Sequence, residues 1–250
     1  MNELKHKTEF ERLLANYKLS SDSRKILADA SLVLLVGPTS SGRNTIIEEL
    51  VKTGEYYHIV SDTTREMRFK NGKPLEKNGR EYWFTSEAEM LKGIKRGEYM
   101  EAAVIHDQQV SGCSIREVAA ANNAGKVAIK DITETGAETV HGLKPDTVIV
   151  FVTVPDYATW MSRLKSRSKI PAEELRRRMV SAAREYRAAL SHDYYQVVVN
   201  ENLASVVKDI DMIAKQHGQP AARQHQARAV AQAVYQEIIN HLEDVSAFIQ

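Results

Sequence analysis

Residues 31–50 read SLVLLVGPTSSGRNTIIEEL: an apolar run, a turn of small residues and the start of an amphipathic stretch. That succession predicts a buried strand, a tight loop and a helix. Gly37 and Gly42 bracket Pro38, Thr39, Ser40 and Ser41, so few side chains stand between an anion and the loop's backbone N–H groups. A strand before and a helix after is the setting in which such a glycine loop holds nucleotide phosphates, as against a turn that merely joins two elements. Phosphate loops ordinarily carry Lys where this one has Arg43, and Ser or Thr where it has Asn44.

Outward from the loop the chain reads as alternating helices and strands. Before it, Phe10, Leu13, Leu14 and Tyr17 fall at helical spacing, and Ser20-Ser21-Asp22-Ser23 caps a second short helix carrying Ile26 and Leu27. After it, a helix over 45–52 is stopped by Thr53-Gly54, and a strand is expected over 57–61. The polar, turn-rich KNGKPLEKNGRE (70–81) reads as a mobile loop by composition, ahead of the aromatic strand Tyr82-Trp83-Phe84. Ser86 caps a helix reaching about Arg96 and ended by Gly97. Strands over 99–105 and 110–113, joined by polar 106–109, precede a helix from Ser114 to about Asn123. A strand over 127–132 and a short helix over 134–141 lead to TVIVFVT (147–153), a continuous β-branched run of the kind covered on both faces. Pro155 and Asp156 open a helix carrying Trp160, Met161 and Leu164, followed by a helix over 171–190, a strand over 196–200 and a helix over 203–217. This alternation implies an α/β fold with a doubly wound, mainly parallel sheet, and the stretch 82–113 reads as a smaller antiparallel insert. Beyond Gly218-Gln219-Pro220, Ala227, Val230, Ala231, Val234, Ile238, Leu242, Val245 and Ile249 form a helical stripe that packs on the parent domain.

Composition narrows the function classes. With 34 Lys+Arg against 33 Asp+Glu, a formal charge of +1, no global field favours nucleic acid or membrane, so any anion is bound locally. The single cysteine, Cys113, excludes an internal disulfide and suits a reducing compartment. No apolar run is long enough to span a bilayer, and MNELKHKTEF is too charged for a signal peptide, so a soluble cytoplasmic protein is expected.

Motif by motif and in order, GPTSSGRNT, SDTTREMR, REYWF, GEYMEAAVI, SGCS, KDITETG, RLKSR and RRRM…HDYYQVVVNENL resemble guanylate kinase. The resemblance covers about residues 31–217 and implies a P-loop kinase fold with a GMP-binding insert over about 61–113 and a lid over about 165–175. The helical extension 1–30 and a C-terminal helix over 218–250 flank it, and either is a possible surface for a protein partner. The implied reaction is transfer of the ATP γ-phosphoryl to GMP with Mg²⁺. Such chemistry needs positioning and charge neutralisation more than covalent catalysis, so clustered guanidiniums are the groups to look for. Arg65 and Arg68 match the family's GMP-phosphate ligands, for which the arginine fork is suited, and Tyr82 matches a third. Glu101 and Asp131 match carboxylates, and Ser61 a hydroxyl, that meet guanine; a carboxylate acceptor selects guanine because its edge offers N1–H and an amino group. Ser111 and Cys113 stand where the family carries a Tyr and a hydroxyl, which weakens one phosphate and one base contact. Arg163, Arg167 and Arg178 occupy lid and post-lid positions that, with Arg43, face the transferring phosphoryl. The ATP site comprises the loop from Gly37 through Arg43, Asn44 and Thr45, with Asn200 placed beside adenine.

Three departures surround the triphosphate. A guanidinium at Arg43 is longer and planar where an ammonium is compact. Asn44 would meet Mg²⁺ through an amide oxygen rather than a hydroxyl, and Thr133 stands where a second acid is frequent. On the acceptor side, Ser61, Arg65, Arg68, Tyr82, Glu101 and Asp131 are intact. Three readings follow: a divergent guanylate kinase, a catalytically impaired nucleotide- or protein-binding module, and a kinase for another nucleoside monophosphate.

Overall fold

The computed structural model describes residues 4–105, 107–167, 170–216 and 218–247. In chain order the elements are α1 (Lys7–Ala15), α2 (Ser21–Ala28), β1 (Leu32–Val36), α3 (Arg43–Lys52), β2 (Tyr56–His58), β3 (Asp62–Thr63), β4 (Phe69–Lys70), β5 (Lys73–Pro74), β6 (Trp83–Phe84), α4 (Glu87–Lys95), β7 (Tyr99–Ile105), β8 (Gln109–Ser114), α5 (Ile115–Asn123), β9 (Val127–Asp131), α6 (Glu134–Leu143), β10 (Val148–Thr153), α7 (Tyr157–Arg167), α8 (Ala172–Ser191), β11 (Tyr195–Val199), α9 (Leu203–Gln216) and α10 (Ala221–Ala247). They form two compact units. One holds Met1–Ser31, Tyr56–Ala128 and Thr139–Pro145; the other holds Leu32–Glu55, Ile129–Glu138 and Asp146–Gln250. Among the described residues no helix is long and apolar enough to cross a membrane.

The second unit carries strands in the order β11-β10-β1-β9, with β1 parallel to β10 and β10 parallel to β11. Every residue of β1 and β10 is buried, which is why both read as unbroken apolar runs rather than alternations. Strand β1 sits between two strands that come later in the chain, so the order reverses there. The loop at its carboxyl end lies where doubly wound sheets bind ligands. α9 packs on β10, β11 and α3, and α10 packs on α7, α8 and β11. Ala227, Ala231, Val234 and Ile238 of α10 are buried, and His241 stacks on Tyr157 of α7 with centroids 4.3 Å apart. The stripe expected beyond Gly218 thus covers the parent domain; the side chains of Val245 and Ile249 lie outside the described set.

The first unit is built on the sheet β6-β3-β8-β7. β8 is antiparallel to both β3 and β7, whereas β6 runs parallel to β3. The helical extension belongs to this unit: Phe10 of α1 is fully buried among Leu4, Met90, Leu91, Ile94, Tyr99 and Val110. Tyr17 donates to Tyr99 O and accepts from Tyr99 N, both at 2.7 Å, and burial pushes its hydroxyl up to about 12. α2, capped by Ser20 Oγ accepting from Ser23 N, packs on α5.

Three expectations need correction. The strand expected over 57–61 ends at His58; the Val60 N–H donates to the buried Glu117 carboxylate at 3.1 Å instead of to a neighbouring strand. KNGKPLEKNGRE is not a featureless loop. β4 and β5 pair around Asn71-Gly72, whose φ values of +52° and +75° are those a tight two-residue hairpin turn requires. The short helix over 134–141 runs on to Leu143, and Lys144 N still bonds Val140 O at 2.8 Å. The end of the helix expected over 203–217 falls on residue 217, outside the described residues.

Candidate active site

The loop between β1 and α3 is fixed by its glycines and by two side chains from later elements of the same unit. A Cβ on Gly37, at φ +149°, would lie 2.4 Å from Val152 O, and one on Gly42, at φ +100°, would lie 2.3 Å from Asn200 Nδ2. Only glycine lets the loop pass this close to β10 and to Asn200. Asn200, buried just past β11, donates Nδ2 to Ser41 O at 2.7 Å, and Trp160 Nε1 donates to Thr39 O at 2.8 Å. Asn200, matched to the adenine side, therefore also ties down the phosphate loop, and Trp160 is a further support that its sequence context did not reveal.

This scaffold leaves polar atoms aimed at nothing. Ser40 Oγ and Ser41 Oγ are buried without a hydrogen-bond partner, although such groups are nearly always satisfied in folded proteins. α3 has no acidic residue in its first turn, so the positive end of its dipole is unopposed. A phosphate group would answer all three deficits. Arg43, half-buried at the head of α3, donates Nη1 to Ile132 O over a long 3.4 Å. Asn44 and Thr45 are exposed in the first turn. Asp131 ends β9 half-buried, 3.6 Å from Lys130 Nζ. Thr133 accepts from Gly136 N at 3.2 Å, which occupies it at the start of α6.

Of the arginines expected at lid and post-lid positions, Arg163 donates Nη2 to Asn200 O at 2.9 Å, and Arg178 donates Nε to Glu174 at 2.8 Å. Arg167 ends α7, and its side chain lies outside the described set.

In the first unit, strand pairing brings together three of the residues expected from the resemblance to meet a base. Glu101 on β7 faces Cys113 on β8, and Cys113 Sγ is 3.7 Å from Ser61 Oγ. Ser61 and Cys113 are buried and Glu101 half-buried. Ser111 donates to Thr63 Oγ1 at 2.9 Å, and Thr63 in turn accepts from Arg65 N at 3.3 Å.

Arg65 is held by a residue absent from the sequence-based expectations, Glu76. Its Nη1 and Nη2 donate to the two Glu76 oxygens at 2.9 and 2.7 Å, and Nη1 also donates to Glu66 O at 2.8 Å. The guanidinium lies 5.3 Å from the Tyr82 ring centroid and 5.5 Å from that of Phe84. One Nη2 N–H and the Nε–H have no protein partner among the described residues, leaving donors for a bidentate oxyanion. Arg68 is exposed, and its backbone N–H donates to Glu76 Oε2 at 2.9 Å. Arg65 holds the Glu76 carboxyl below its ordinary range, so this clamp persists across neutral pH. The signal in the sequence was Asn71-Gly72, a hairpin turn that brings the chain back towards Arg65.

Comparison with known proteins bears on both clusters. The family model described as guanylate kinase matches residues 29–217. A guanylate kinase of Corynebacterium diphtheriae is 36% identical over 184 residues, 73% of this chain and 93% of the relative. One of Thermotoga maritima is 32% identical over 185 residues, 74% of this chain and 86% of the relative. The crystal structure of guanylate kinase from Anaplasma phagocytophilum superposes with a TM-score of 0.55 at 24% identity, covering 80% of this chain and 91% of the other, a likeness of fold. With a family model matched over 29–217 and relatives above 30% identity matched over most of their length, the chain belongs to the guanylate kinase family.

Proposed function

We propose that the chain transfers the γ-phosphoryl group of ATP to GMP, yielding ADP and GDP. The observation that carries this reading is the phosphate loop, rigidly held yet lined by the unpartnered Ser40 and Ser41 hydroxyls at an unopposed helix N-terminus. Arg65 and Arg68 would receive the acceptor phosphate, Tyr82 adding its hydroxyl, while Ser61 and Glu101 accept from the guanine edge. By the same resemblance Asp131 would supply a second carboxylate, while Ser111 and Cys113 offer less polarity than a Tyr and a hydroxyl. Arg43, Arg163, Arg167 and Arg178 would neutralise the charge spread over the transferring oxygens.

The donor set suits Mg²⁺, a hard cation that takes most of its ligands from phosphate and water: Asn44 offers an exposed amide oxygen beside the loop. Bound there, the ion would neutralise charge between the β- and γ-phosphates. A pool of nucleotides and a single, buried cysteine, Cys113, fit the cytoplasm, where we place the protein. A protein partner would find the outer faces of α1 or α10.

The test is ADP formation from ATP and Mg²⁺ with GMP, dGMP, AMP, UMP and CMP offered separately, beside an Arg43→Lys variant. GMP-dependent turnover of the unaltered chain is expected. Turnover with another acceptor alone would move the assignment to that nucleotide. Silence with every acceptor, with activity appearing in Arg43→Lys, would make the chain a nucleotide-binding module. Glu76→Ala is expected to free Arg65 and raise KM for GMP by on the order of tenfold with a smaller change in KM for ATP, since a lost clamp of this kind is worth ~1–2 kcal/mol; equal changes in both KM values would remove Glu76 from acceptor binding.

A further inference from the structure

The sheet of the first unit changes phase once, and the change falls beside a residue expected to meet guanine. On β7 the step from Tyr99 to Glu101 is matched on β8 by the single step from Ser114 to Cys113, so one extra residue, Met100, is taken up as a β-bulge. Residues directly opposite in an antiparallel pair point to the same face, and neighbours along a strand point to opposite faces. Without the bulge, Tyr99 and Glu101 would share a face. With it, Glu101 lies on the face of Cys113, Ser111 and Thr63, whereas Tyr99 lies on that of Ser114, Gly112 and Asp62. The side chains agree: Tyr99 Oη donates to the buried Asp62 Oδ2 at 2.8 Å on one face, and Ser111 Oγ donates to Thr63 Oγ1 at 2.9 Å on the other. A slip of one residue here would turn Glu101 away from Cys113.

The group that pins this bulge comes from the N-terminal extension. β7 is an edge strand in the order β6-β3-β8-β7, so its outward N–H and C=O groups face no neighbouring strand. Tyr17, between α1 and α2, takes both of those on Tyr99: the Tyr99 N–H donates to Tyr17 Oη, and the Tyr17 hydroxyl donates to Tyr99 O, each at 2.7 Å. One hydroxyl thus replaces the paired residue of an adjoining strand. The same segment is seated over the approach to β7, where Ser20 N donates to Gly97 O at 3.1 Å and a Cβ on Gly97, at φ +68°, would lie 2.4 Å from Ser20 N. Tyr17 falls outside the residues 29–217 matched by the family model, and the phosphoryl-transfer assignment does not use it. We propose that Tyr17 is a positioning residue for base selection: by closing the bulge at Tyr99 it keeps Glu101 on the face where a guanine edge would be read, and so favours guanine over a base without the 2-amino group. The inference rests on the reading of Glu101 as a guanine-reading carboxylate. Tyr17 acts through the backbone of β7 and touches no substrate.

Hypoxanthine keeps the N1–H of guanine and lacks its amino group, so the ratio of the IMP to the GMP dissociation constant reports the second hydrogen bond to a carboxylate. The experiment measures the Kd of GMP, IMP and ATP by calorimetry for the unaltered chain, Tyr17→Phe, Glu101→Gln, the double variant and Phe10→Leu, with melting temperature and GMP-dependent turnover recorded beside them. Tyr17→Phe removes only the hydroxyl. Expected are a roughly fivefold fall in the preference for GMP over IMP, a Kd for ATP within about twofold, and an effect of Tyr17→Phe on that preference below about twofold once residue 101 is Gln, the mark of a coupled pair. Phe10→Leu trims a fully buried side chain of α1 without touching the bulge, and is expected to lower the melting temperature and keep the preference. An unchanged preference in Tyr17→Phe while Glu101→Gln loses it, an equal loss in Phe10→Leu, or the same effect of Tyr17→Phe in both backgrounds would overturn the proposal. A preference that Glu101→Gln leaves intact, or no GMP binding by the unaltered chain, would overturn the reading of Glu101 and the proposal with it. Binding that follows the expected pattern without turnover would overturn the kinase reading alone. Should Tyr17→Phe fail to fold, amide exchange on the unaltered chain decides: by the reciprocity of coupled sites, GMP is expected to slow exchange of the Tyr99 N–H at least about threefold more than IMP does, and equal slowing would overturn the clamp.

Discussion

Replacing Gly37 by Ala is expected to abolish measurable ATP binding and to lower the melting temperature by roughly 5–10 °C, a destabilisation of about 2–3 kcal/mol in a chain of this size. The added Cβ would lie 2.4 Å from Val152 O. That oxygen belongs to the backbone of β10, all of whose residues are buried, so it has no direction in which to yield. Gly54→Ala serves as the control. Gly54 is at φ +85° with nothing within 4 Å of the new Cβ, so it carries only the left-handed backbone penalty of ~1–2 kcal/mol and should leave ATP binding intact. Thermal unfolding and calorimetry on both variants decide the matter; a Gly37→Ala protein that binds ATP normally would mean that the loop does not owe its shape to this contact.

The second large effect concerns stability against pH. The Glu185 carboxyl, ordinarily near 4.5, titrates at about 8 in the folded chain because burial penalises its charge. Between those values the folded state keeps a proton that the unfolded chain releases. Stability therefore falls as pH rises across this window and levels off above it, by on the order of 5 kcal/mol in total. Glu185→Gln carries no proton to lose, so its stability should be flatter from about pH 5 to pH 9 and should exceed that of the unaltered chain at the alkaline end. Urea unfolding at three pH values measures this directly. Parallel curves for the two proteins would show that Glu185 is charged and satisfied in the folded state.

Much of this architecture was legible because its signals are local. TVIVFVT and LVLLV announce strands covered on both faces, Ser20, Ser86 and Ser114 announce helix starts, and each side chain accepts the capping hydrogen bond its position implies. Gly37 and Gly42 announce a backbone approached by something else. What stayed hidden depended on partners distant in sequence. The 57–61 strand stops early because Glu117, nearly sixty residues on, takes the N–H of Val60. The 70–81 segment reads as loose because its composition is polar, yet its Asn71-Gly72 turn and the Glu76 contact to Arg65 are long-range consequences of a short hairpin. Local sequence does not set Glu185 apart from the charges around it on α8. Its 3.6-residue position on the inward face of α8, beside the buried Tyr186 and Ala182, is what distinguishes it from the solvated arginines around it.

The pairing of β1 with β10, in which Val33 lies opposite Val148, also shapes how the protein is born. On a ribosome adding ~5–20 residues per second, β1 leaves the exit tunnel many seconds before its partner has been made. Through that interval LVLLV is a bare, uncharged β-forming segment, and the phosphate loop behind it has no floor to rest on. Nucleotide cannot help the nascent chain fold early, because its cradle is finished only when β10 and, later still, Asn200 arrive. A window in which β1 is exposed during synthesis is built into the order in which these strands are encoded.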